Sequence, residues 1–134
     1  MIAARQNASV REFAFSAVKD ASDPPAIDLV HLARQTDGDA ALEAELLAMF
    51  DAQSAKLCGR LALAEVGAQA KADIAHRLKG SALALGAWRV AEAATATETH
   101  FARIAAGDAP ASDPLIELQA AVAAARAAIA RLSA

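Results

Sequence analysis

Apolar residues recur at helical spacing along most of this chain. Leu115, Leu118, Val122, Ala125, Ile129 and Leu132 alternate three and four positions apart, which predicts a helix with one buried stripe. Asp113 is placed to cap that helix, and Pro114 occupies its first position. Val90, Ala94, Thr97, Phe101 and Ile104 predict another amphipathic helix, broken afterwards by Gly107-Asp108-Ala109-Pro110. Before it, Ile74, Leu78 and Leu85 predict a helix that opens after Gly67 and stops at Gly86. A long helix is expected from about Asp39. Its inward stripe is read as Leu42, Leu46, Met49, Phe50, Gln53 and Leu57, running on through Leu61 to Ala64, with Gly59 inside it at a position suited to a bend.

Upstream, Thr36-Asp37-Gly38 closes a short helix with an expected inward stripe of Ile27, Val30 and Ala33. Asp23 is its expected cap, with the two prolines in its first turn. Asp20 to Pro25 reads as a break, because Pro-Pro does not fit inside a helix. Earlier still, Val10, Phe13, Ala14 and Ala17 have helical spacing, while Phe13 and Phe15 alternate like a strand; a helical extension packed on the bundle is preferred. The sum is an all-α chain. Short connections favour antiparallel neighbours, so an antiparallel up-down four-helix bundle is expected, with a short preceding helix and an N-terminal extension. The division is residues 1–22 for the extension and 23–134 for the bundle domain.

Composition supports a helical domain. Hydrophobic residues make up 56% and aromatics 4%, and much of the apolar share is alanine, the best helix former. The length of 134 residues suits one core. A formal net charge of -3, with no cluster of Lys and Arg, argues against nucleic acid as a partner. Cys58 is the only cysteine, which excludes an intrachain disulfide and fits a reducing compartment. Met1 to Val10 lacks the apolar core of a signal peptide, and no segment is long and apolar enough to span a bilayer. A soluble, cytoplasmic protein, acting as a monomer and away from membranes, is expected. The three histidines, His31, His76 and His100, and Cys58 lack the close paired spacings of metal ligands, and no glycine-rich phosphate loop is present, so neither a metal site nor an ATP site is expected.

The chemistry concentrates in Ala75-His76-Arg77-Leu78-Lys79-Gly80-Ser81-Ala82. At about 100° per residue, His76 falls almost opposite the centre of Ile74, Leu78 and Leu85, so it projects into solvent. Ala72, Asp73, Lys79, Gly80 and Leu83 are its neighbours on that outer face. Lys79 and Gly80 each lie one turn along. Glycine in mid-helix costs about 1 kcal/mol relative to alanine, so Gly80 beside an outward histidine points to close approach by something else. Neutral imidazole is a good nucleophile near neutral pH, and a lysine one turn away suits a phosphohistidine. Phosphoryl transfer needs mainly positioning and electrostatic support. Ser81 lies toward the core, with a local backbone hydrogen bond expected; Arg77 reads as a solvated side chain, Trp88 as core, and His31 and His100 as structural or surface residues.

The run His76-Arg77-Leu78-Lys79-Gly80-Ser81-Ala82, followed by Gly86-Ala87, resembles the signature of histidine phosphotransfer (Hpt) domains. The similarity extends upstream to Ile27-Asp28-Leu29 and to Leu46-Leu47 with Phe50, and downstream to Glu98. The resemblance implies a four-helix bundle that shuttles phosphate with response-regulator receiver domains, supplied by a hybrid histidine kinase. It implies His76 as phosphoryl acceptor, Lys79 as support for the phosphoryl charge and Gly80 as clearance for the partner. Ala72, Asp73 and Leu83 join the docking face. The chain is then a phosphocarrier without kinase activity, and Mg2+ comes with the receiver, not with this chain. Where the family commonly has a polar residue two before Gly-Ala, this chain has Ala84. The rival readings are a module that docks receivers without being phosphorylated, and a purely structural helical adaptor.

Overall fold

The computed structural model describes residues 25–133. The expected N-terminal extension and the capping role of Asp23 lie outside them. The described chain forms five helices: α1 Leu29–Gln35, α2 Ala40–Leu61, α3 Ala68–Leu85, α4 Trp88–Ala105 and α5 Leu115–Ser133. No strand occurs among the described residues. Helix α2 packs on α3 and α5, and α4 packs on the same two, closing a ring of four around one core; α1 lies against α3. Phe50, Leu61, Leu78, Leu118 and Val90 fill the centre of that ring. Each such side chain contributes about 1.5–3 kcal/mol on burial.

Helix α5 follows its sequence pattern closely. The Asp113 carboxylate accepts the Leu115 N–H at 2.9 Å, and Leu118, Val122, Ala125 and Ile129 are buried. The other stripes need correction. In α2 the inward face is Leu47, Phe50, Ser54, Leu57, Cys58 and Leu61, rotated by about 80° from the expected one at 100° per residue. Leu42 is exposed and Met49 is 61% exposed. The small residues Ser54 and Cys58, weak as hydrophobic markers, take the inward positions instead, and α2 ends at Leu61, short of Ala64. Burial raises the Cys58 thiol above its ordinary range.

Helix α1 starts later than expected. Its cap is Asp28, whose carboxylate accepts the His31 N–H at 3.0 Å. Leu29 and Leu32 are its buried residues, Val30 is exposed, and Ile27 enters the core from the segment before the helix. Asp28 is fixed by three further contacts. Its N–H donates to the Gly86 carbonyl at 2.9 Å, its second carboxylate oxygen accepts the Trp88 indole N–H at 3.0 Å, and its Cβ lies beside Gly86. Trp88 is therefore half-buried with its polar edge engaged, not simply core. Gly86 ends α3 in the left-handed conformation at φ 76°, and a Cβ there would sit 2.8 Å from that of Asp28. Only glycine fits both demands. Ala87 then returns its N–H to the Ala82 carbonyl at 2.9 Å, and the chain reverses directly into α4.

Candidate functional site

The abrupt turn at Gly86-Ala87 lays α3 and α4 side by side along their length. This explains where the residues around His76 fall. Ile74, Leu78 and Leu85 are buried as expected, but Ala72, Ala75 and Ala82 are buried too, and they extend the covered arc toward α4. Ala72, expected on the outer face, is only 3% exposed. Its side chain is too short to reach out past α4, so it is part of the core and not of a docking face. Asp73, His76, Gly80 and Leu83 do share the exposed side of α3, with Leu83 45% exposed. Lys79 lies on the flank toward α4, half-buried.

Glu98 of α4 joins His76 and Lys79. Its Oε2 lies 3.0 Å from His76 Nδ1, and its Oε1 accepts Lys79 Nζ at 3.0 Å. The hydrogen bond from Lys79 is the main influence holding the Glu98 carboxyl below its usual range; partial burial opposes it and the His76 bond assists. An ionised carboxylate only accepts hydrogen bonds, so His76 Nδ1 carries the proton. In the neutral ring Nε2 then carries the lone pair, on a side chain 64% exposed. The lysine ammonium has three N–H groups and gives one to Glu98, so two remain for other acceptors.

Gly80 stands one turn from His76 beside open space: among the described residues, a Cβ built there meets nothing within 4 Å. The glycine is not required by packing among the described residues. Ala84, where the family pattern commonly has a polar residue, is exposed and brings only a methyl group. Ser81 does not bond locally; its hydroxyl donates to Gln53 Oε1 on α2 at 2.9 Å, which accounts for the one polar member of the expected α2 stripe. Asp73 accepts Gln69 Nε2 at 3.1 Å. His31 is structural: a carbonyl only accepts, so its Nε2 donates to the Leu83 carbonyl at 3.0 Å, and its ring meets Trp88 edge-on at 4.8 Å. Among the described residues, no group of three or more His, Cys, Asp and Glu side chains is arranged to hold a metal ion, and no helix is long and apolar enough to cross a membrane.

Glu98, which contacts both His76 and Lys79, is the residue of this cluster that sequence reasoning left without a role. Its signals were position and pattern: it stands beside Thr97 at the edge of the α4 stripe, 22 residues from His76, where the resemblance to the Hpt signature ends.

The family model of the Hpt domain matches residues 45–132. The chain belongs to the Hpt domain family, whose members act in histidine phosphotransfer within phosphorelays and work with receiver domains and histidine kinases. The match spans α3, α4 and the residues of the His76–Glu98–Lys79 cluster. No curated protein and no solved structure matches the chain.

Proposed function

We propose that this chain carries a phosphoryl group on Nε2 of His76, taking it from a receiver-domain phosphoaspartate and giving it to a second receiver. The observation behind this is the orientation of the imidazole: Nδ1 is tied to Glu98, and Nε2 lies on the exposed face beside Gly80. In the step, the Nε2 lone pair attacks phosphorus. The bond from phosphorus to the aspartyl oxygen breaks, and the aspartate leaves as a carboxylate. The proton stays on Nδ1, so the phosphorylated ring gains positive charge facing the Glu98 carboxylate. Lys79 directs its remaining N–H groups at the phosphoryl oxygens, and Gly80 leaves the partner room to close on the ring. The reverse sequence delivers the group to the next receiver. Mg2+ is held by the receiver and supplies charge neutralisation there. With no glycine-rich phosphate loop in the sequence, ATP is used by the partner kinase and not by this chain.

Incubation with a phosphorylated receiver domain of the same organism tests this. Acid-labile, base-stable phosphate is expected on the wild-type chain and absent from His76→Gln. Labelling of His76→Gln at the wild-type level would remove His76 from the role. A folded wild-type chain that takes no label from any receiver would favour a module that docks without being phosphorylated.

A further inference from the structure

Asp28 is pinned by the Gly86 carbonyl and the Trp88 indole, so the chain joins the bundle beside the α3/α4 turn. Two exposed apolar side chains stand close to that place: Val30, two residues after Asp28, and Leu83, three before Gly86. His31 ties their backbones together, since it follows Val30 and its ring donates to the Leu83 carbonyl at 3.0 Å. Leu63, Ile104 and Ile116 are exposed too, but stand at the other end of the bundle: just after α2, at the end of α4 and at the start of α5. Directly upstream of the bundle the sequence holds an apolar segment. Val10, Phe13, Ala14 and Ala17 recur at helical spacing, and Phe15 and Val18 add to them. The chain has four phenylalanines; Phe50 and Phe101 are buried in the core, and Phe13 and Phe15 are the other two.

We infer that residues 10–18, led by Phe13 and Phe15, dock on Val30 and Leu83 of the same chain. Reach selects this surface. Residues 19–24 connect the segment to Pro25 and span about 20 Å at most. Leu83 is about 4.5 Å along the helix from Gly86, so docking there needs only a slack connection. The far end of α3, about 27 Å away, needs an extended one, which costs more entropy. Tethering keeps the segment at high local concentration, so a small apolar contact is enough to hold it. Leu83 shares the exposed side of α3 with His76. The docked segment therefore covers part of the face that a receiver needs, and the receiver has to displace it. That consequence rests on His76 as the phosphoryl carrier; the docking itself does not.

The test places a photoreactive benzophenone amino acid at position 13 or 15 of the full chain and maps the crosslinks by mass spectrometry. Crosslinks within one chain to the peptides holding Val30 or Leu83 are expected, unchanged on dilution and lost in Val30→Asp/Leu83→Asp, whose substituted side chains are exposed and leave the core intact. Crosslinks between chains, to α2, or to the Leu63 and Ile116 end overturn the docking, as does the absence of any crosslink. The effect on the face is read from transfer kinetics of Phe13→Asp/Phe15→Asp with receiver domains of the same organism. Removing the cover should raise kcat/KM about three- to tenfold with kcat little changed, because the share of molecules with the face open sets the apparent affinity. An unchanged kcat/KM beside the expected crosslinks overturns the cover and keeps the docking. If the wild type takes no phosphate at all, the carrier reading of His76 fails, while the crosslinks still decide the docking.

Discussion

At the scale of single residues, the site turns on which imidazole nitrogen carries the proton. A histidine on an open helix face exchanges between tautomers and rotates; His76 is held at Nδ1 by a carboxylate that Lys79 keeps ionised. Orientation of this kind is a positioning effect, exerted through His76 and not on phosphorus. Glu98→Gln tests it. The amide presents both a donor and an acceptor, so it no longer demands a proton on Nδ1. The variant should accept phosphate roughly 10- to 100-fold more slowly, by analogy with the loss when the hydrogen-bond partner that orients a metal-binding histidine is removed. Nitrogen NMR of the ring should show the Nε2–H tautomer gaining population. An unchanged rate with an unchanged tautomer would make Glu98 a spectator. Neither distance in this cluster was legible beforehand, because helical periodicity locates a residue on its own helix and says nothing about what faces it 22 residues later.

Elements were read with uneven success, for a physical reason. Helix α5 presents Leu, Val and Ile on a single face, and its capping Asp113 and Pro114 stand at the boundary, so pattern and structure agree. In α2 and α3 the bulky residues mark only part of the buried arc, while Ser54, Cys58, Ala72, Ala75 and Ala82 complete it. Small residues carry little hydrophobic signal, yet they fit best where two helices lie close. The His76 segment was legible because its unusual residues, an outward histidine and a mid-helix glycine, depart from that background. Helix α1 was misread because its start is decided by a distant element: Asp28 is held by Gly86 and Trp88 from the α3/α4 turn. That coupling has a measurable consequence. Gly86 and Gly38 both have positive φ, 76° and 78°, but a Cβ at Gly38 meets nothing while one at Gly86 meets Asp28 at 2.8 Å. Alanine at either position bears backbone strain of about 1–3 kcal/mol. Gly86→Ala must also push α1 away, so its thermal midpoint should fall clearly further than that of Gly38→Ala. Equal losses would show that the anchorage of α1 contributes nothing to stability.

For the molecule as a whole, the same carboxylates that organise the site and anchor α1 make the bundle sensitive to acid. At Asp28, burial works to raise the carboxyl, but hydrogen bonds from the His31 N–H and Trp88 outweigh it, with lesser help from the charge of His31 and the Val30 N–H, and hold it below its ordinary value of 3.8. Glu98 is held below 4.5, chiefly by Lys79. A carboxyl whose folded value lies below its unfolded value stabilises the fold above the unfolded value and loses that contribution as pH falls through the folded one. The loss should therefore begin below about pH 4.5 for Glu98 and below about 3.8 for Asp28, and be complete only further into acid. Glu98 is partly open to solvent, so its share is the smaller; Asp28 caps α1 and binds the turn, so protonating it releases an element. The thermal midpoint of the wild type should fall as pH drops from about 5 to about 3, and Asp28→Asn should start lower at neutral pH and fall less steeply. Parallel curves for wild type and variant would assign the acid sensitivity to other carboxylates and leave the Asp28 anchorage without an electrostatic part.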